Sequence, residues 1–168
     1  MSSKETNELL GIYLNDHLAG SVAGRDLTEK IRAHNEGSAV ATFMDGLRTE
    51  IDEDQETLAG LLRQLGVEQS SVKQFAGSML EKVSRTVFDT ELDGSSALNL
   101  LLELEGLSIG IEGKLSLWRT LQTIGNDSAG LHLDVDRLIE RAQRQLEGLE
   151  QHRLEAARAA FVAEAPSS

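Results

Sequence analysis

Five residues of this chain have the types and spacing to do chemistry together: His17, Glu50, Asp54, Glu105 and Glu112, with His152 as a sixth member by position. One imidazole and two carboxylates can hold iron, manganese or zinc and leave coordination positions open for water or dioxygen. That arrangement supports oxidation or peroxide chemistry, with Glu50 or Glu112 accepting a proton. Buried without a metal, the same groups can instead satisfy one another as a hydrogen-bonded network, which is what buried polar side chains normally do. Glu105 and Glu112 raise the choice most directly. They stand seven residues apart inside LLELEGLSIGIEGKLSLW, residues 101–118. At about 100° per residue on a helix they return to within roughly 20° of each other, so both carboxylates share one face.

The elements that must position these residues are helices. The single proline, Pro166, lies in the tail and interrupts nothing. Residues 6–35 carry Leu10, Leu14, His17, Ser21 and Gly24 at steps of four and three, the seam of an amphipathic helix that Gly37 ends. Ser38 then caps a helix to about 65, through Val40, Met44, Leu47, Ile51, Asp54, Leu58 and Leu61, stopping at Gly66. A shorter helix is predicted over 71–88 and a third long one over 97–124, ending at Gly125. Asp134 caps the last, which runs to about 162 through Val135, Leu138, Ala142, Leu146 and Leu149. LSIGIEG at 107–113 alternates like a strand, but the periodic region around it is too long for one and no other segment offers a partner. An apolar surface nearly all round marks this helix as the most buried. Four long helices with a connection as long as the bundle between the second and third describe a crossover bundle, in which those two helices run parallel.

In that arrangement the chain resembles the ferritin-like superfamily, and in particular the small bacterial stress-induced ferritin-like proteins distantly related to rubrerythrin. The resemblance rests on YLNDHLAG, on LRTEIDEDQETLAGLLRQLGV with SSVKQFAGSMLEKV, and on LELEGLSIGIEGKLSLWRTL. It implies a four-helix bundle with a long crossover holding a short extra helix. Metal-binding members place one glutamate on each of two helices and a Glu-x-x-His pair on each of the other two. This chain departs from that pattern. Ser21 stands where the first glutamate belongs, Glu50 and Glu53 have no histidine after them, Ser108 follows Glu105 at three residues, and Glu150 and His152 are two apart, about 200° round the helix.

Taking helix midpoints as one level, a ~1.5 Å rise per residue puts His17, Asp54 and Glu112 within about 5 Å of the midplane on one side. Glu105 and His152 fall about 7 and 6 Å to the other side. Two polar layers are therefore expected. Other residues carry less. Trp118 and Tyr13 have the spacing of core packing, Lys114 is expected at a solvated position, and EIDEDQE at 50–56 is a charged face from which Asp54 alone turns inward. GIEGK lacks the P-loop spacing, and His34 and His132 lie at helix ends or loops.

Composition bounds the partners. With 16 basic and 28 acidic residues the net charge is −12, which repels nucleic acid and acidic lipid surfaces, and the absence of cysteine excludes disulfides, thiolate ligands and a thiol nucleophile. No leader or membrane-spanning run is read in the sequence, so a single cytoplasmic domain is expected. Ferritin-like bundles often dimerise, so a homodimer is carried as an expectation, although the pattern shows no exposed apolar stripe. The expected role is a non-catalytic, stress-associated binding or interaction protein with a degenerate metal site, a buried polar network and no cofactor. The alternative is an iron- or manganese-dependent oxidase or peroxide-handling enzyme using His17, Glu50, Asp54, Glu105 and Glu112.

Overall fold

In the computed structural model, which describes residues 3–67, 96–125 and 133–162, every regular element is helical. Helix α1 spans Ser3–His34, α2 Ala39–Gln64, α3 Ser96–Ile124 and α4 Val135–Phe161. The expected short helix over 71–88 lies outside the described residues, as do the tails. LSIGIEG is helical within α3.

The ends of the helices follow from a few side chains. The Ser38 hydroxyl accepts from the Ala41 amide at 3.2 Å, and the Asp134 carboxylate from the Arg137 amide at 3.2 Å, each satisfying a backbone donor that the first turn leaves unpaired. Gly37, Gly66 and Gly125 have φ of 79°, 69° and 76°, the left-handed turn that closes a helix and that a side chain resists. Between these signals an apolar stripe holds each rod to the core. In α2 it reads Val40, Met44, Leu47, Ile51, Leu58, Leu61 and Leu62, and each fully buried member contributes about 1.5–3 kcal/mol.

Helices α1 and α2 form one close pair and α3 and α4 the other; α1 also lies against α3, and α2 more loosely against α4. Side-chain contacts give the directions. Arg25 meets Asp52 at 2.5 Å and Arg32 approaches Asp45 at 3.7 Å, so α1 and α2 are antiparallel. Gln122 bonds to Asp136 and Arg153 to Glu105, so α3 and α4 are too. Tyr13 donates to Thr120 at 3.2 Å and Lys30 pairs with Glu103 at 3.1 Å, which sets α1 against α3. Phe43 stacks near His152 while Glu50 is bonded by Gln145, which does the same for α2 and α4. All neighbours being antiparallel, α2 and α3 run parallel across the diagonal. Among the described residues no helix is long and apolar enough to cross a membrane.

Candidate functional site

Asp54 is the charged residue the core is built around. It continues the apolar stripe of α2 three residues after Ile51 and four before Leu58, and only 2% of it is exposed. Its two oxygens meet two cations from the other pair of helices: Oδ2 accepts from Lys114 Nζ of α3 at 2.7 Å, and Oδ1 from an Arg141 terminal nitrogen of α4. The second terminal nitrogen of Arg141 reaches Glu53 Oε2 at 2.5 Å. Lys114 also donates to Gln145 Oε1, and the Gln145 amide donates to Glu50 Oε2 at 2.6 Å. Arg141 and Gln145 are buried, the Lys114 side chain is nearly so, Glu50 is half-buried, and Glu53 lies largely in solvent. Six side chains from three helices thus close a polar network in which one buried carboxylate serves two cations. The Arg141 Nε has no partner among the described residues.

Electrostatics distinguish the two cations. Burial pulls the Lys114 ammonium below the ordinary lysine range, with the Arg141 charge adding to the effect, while Asp54 and Glu50 act against it. Burial also works against the Arg141 charge, but Asp54 and Glu53 outweigh it and hold the guanidinium above its usual value. A guanidinium keeps its proton in any case and engages two carboxylates through separate nitrogens, so Lys114 is the titrating member of the pair.

The residues expected to form the first polar layer divide. Asp54 is central, and Glu50 joins it through Gln145. His17 does not: it is half-buried on α1, edge-on to Tyr13 with ring centroids 4.7 Å apart, and burial lowers its pKa against the pull of Asp16. Glu112 does not either. The level estimate puts this part of α3 opposite Asp54, as observed, but the wrong side chain fills the place. Lys114, two residues on and about 200° round, faces inward, so Glu112 faces out and is exposed. The expectation that Lys114 would be solvated is corrected by the same geometry.

The second expected layer, Glu105 with His152, gives way to Glu105 with Arg153. Glu105 is exposed and receives an Arg153 nitrogen at 3.5 Å. His152 points instead toward α2, its ring centroid 5.0 Å from that of Phe43. Glu105 and Glu112 do share a face, as their spacing requires, and that face is wet.

Among the described residues no three His, Asp or Glu side chains converge as metal ligands. The proposed ligand set does not fit a metal for a chemical reason: both Asp54 oxygens already face cations, and His17 and Glu112 point elsewhere. Arg141 and Gln145 are the members sequence reasoning passed over. Their signal was present, since Leu138, Arg141, Gln145 and Leu149 follow steps of three, four and four along the inward face of α4. Leu146, read as the seam residue, is half-buried beside them. Trp118 is fully buried, as packing residues are, and its indole N–H finds no partner among the described residues. No protein-family model, curated protein or solved structure matches this chain.

Proposed function

We propose that this chain is a non-enzymatic binding or interaction protein of the ferritin-like kind, stress-associated by that resemblance, in which an ionic network occupies the core level where metal-binding relatives gather their ligands. One observation carries the reading: Asp54, the carboxylate best placed for a ligand, is neutralised by Lys114 and Arg141. A cation at each oxygen supplies the charge that a metal would, and repels one. The parallel course of α2 and α3 supports the ferritin-like assignment, because a crossover bundle requires it.

Metal content tests the proposal against an iron- or manganese-dependent oxidase. Protein produced in medium supplemented with both metals is expected to carry less than about a tenth of an equivalent per chain, and Asp54→Asn to leave that background unchanged. One equivalent or more, lost in Asp54→Asn, overturns it.

A further inference from the structure

The Lys114 ammonium, the Gln145 carboxamide and the Glu50 carboxylate stand in line, and their order matters. Lys114 Nζ donates to Gln145 Oε1, and Gln145 Nε2 donates to Glu50 Oε2 at 2.6 Å. An ammonium only donates and a carboxylate only accepts, so these two neighbours fix which way the carboxamide lies. Its carbonyl carbon, Cδ, is one bond from the atom that Nζ touches, and its amide nitrogen rests on a group that can carry a proton. Rotation about the last torsions of the lysine side chain takes Nζ from Oε1 onto the face of Cδ. The contact already spans α3 and α4, so no helix has to move. The surroundings favour an amine over an ammonium. Lys114 and Arg141 share Asp54, the buried carboxylate of the network, and burial pulls the Lys114 ammonium below the ordinary lysine range, so its neutral form is reached more easily. A neutral amine is a nucleophile. Of the two groups it touches, a carboxylate repels attack through its negative charge, whereas the Gln145 carboxamide is uncharged.

We propose that Lys114 and Gln145 join in an isopeptide bond that ties α3 to α4, with Glu50 as the proton relay. Nζ gives up two protons. The first goes to Asp54 Oδ2, 2.7 Å away, and leaves the lone pair that attacks Cδ while the carbonyl pair moves onto Oε1. The second passes through Glu50 to Nε2. When Oε1 returns its pair, the bond from Cδ to Nε2 breaks with both electrons on nitrogen, and Nε2 leaves as ammonia, which takes the proton from Asp54 and departs as ammonium. An amine and a carboxamide become one secondary amide, and no oxidant or cofactor enters. Closure relieves the core. A buried ammonium gives way to a neutral amide N–H, and Asp54 keeps Arg141 as its single cation. The bond also closes a loop between residues 31 apart, restricting the unfolded chain as a disulfide would in a protein that has no cysteine. The ionic network described above is the open form, in which Lys114 still titrates. The bond goes beyond the interaction role and does not depend on it.

Intact-mass spectrometry of the full chain, sampled over days of incubation near neutral pH, tests the proposal. The protein is expected to lose, or to arrive already lacking, the mass of one ammonia. Trypsin should no longer cut after Lys114, and the α3 and α4 peptides should emerge as one branched species. Glu50→Gln can still accept the hydrogen bond from Nε2 but cannot relay a proton, so its bond should form on the order of a hundredfold more slowly. Kept open in this way, the variant should melt about 10 °C below closed wild type. Lys114→Arg keeps a cation beside Asp54 but offers no nucleophilic amine, and should retain the ammonia throughout. A wild type that holds its full mass overturns the proposal. So does ammonia lost at an asparagine with Lys114 still cleaved, or a lost water, which would put the bond on Asp54. A Glu50→Gln chain that closes as fast as wild type overturns it too. None of these results bears on metal content, so the role proposed for the ionic core is judged separately.

Discussion

At the scale of the residue, the decisive arrangement is one buried carboxylate shared by an ammonium and a guanidinium. Removing the shared member leaves the buried Lys114 ammonium with no carboxylate and Arg141 with Glu53 alone. Asp54→Asn is therefore expected to cost about 3–5 kcal/mol in urea denaturation, the range for leaving a buried charge unpaired. Replacing Asp54, Lys114 and Arg141 together by Leu, Met and Met should recover most of that loss, because an apolar core of similar volume carries no desolvation cost. Recovery of none of it would show that the three residues do not act as a unit. Lys114 adds a pH dependence whose sign is fixed. Its folded-state pKa lies below the ordinary value near 10.5 that the unfolded chain retains. Between those two values the unfolded state binds more protons, so stability rises with pH across that window, by up to about 1.4 kcal/mol per unit. The rise should disappear in the difference between wild type and Lys114→Met. What the sequence showed here was level; what it hid was facing. Asp54 was legible because it replaces an aliphatic residue in a regular stripe, whereas Lys114 sits among so many apolar neighbours that no stripe singles out its side of α3.

The helices themselves were legible almost to the residue, because each end is written in local chemistry: Ser38 and Asp134 at starts, Gly37, Gly66 and Gly125 at stops. Packing between helices is less local, and two glycines of similar appearance illustrate it. A Cβ at Gly148 of α4 would lie 2.6 Å from Cε2 of Phe43 on α2, whereas one at Gly46 of α2 meets nothing within 4 Å. Substitution by alanine should have opposite effects at the two sites. Gly46→Ala gains about 0.5–1 kcal/mol from helix propensity. At Gly148→Ala the displaced Phe43 ring should outweigh that gain and lower stability by about 1–2 kcal/mol. Thermal or chemical denaturation of the pair reads both signs, and a stabilised Gly148→Ala would mean that the ring moves aside freely. Nothing in the sequence near Gly148 distinguishes it from Gly46, since Phe43 reaches it from a separate helix more than a hundred residues away.

For the whole molecule, the parallel course of α2 and α3 was foreseeable from the length of chain between them, while the distribution of exposed apolar groups was not. Ile109 reads as core by composition; only the placement of α1 and α4 beside α3 leaves it outside. The ionic network has a consequence at this scale. It joins α2, α3 and α4, and no α1 side chain enters it: α1 is held by its apolar stripe and by pairs such as Arg25 with Asp52 and Lys30 with Glu103. Lifting α1 away would leave every member of the Asp54 network with its partners. Yet α2 packs closely on α1 and only loosely on α4, so the network is the rivet that fastens one helix pair to the other, and Asp54→Asn should let α1 and α2 exchange their amide hydrogens together, ahead of α3 and α4.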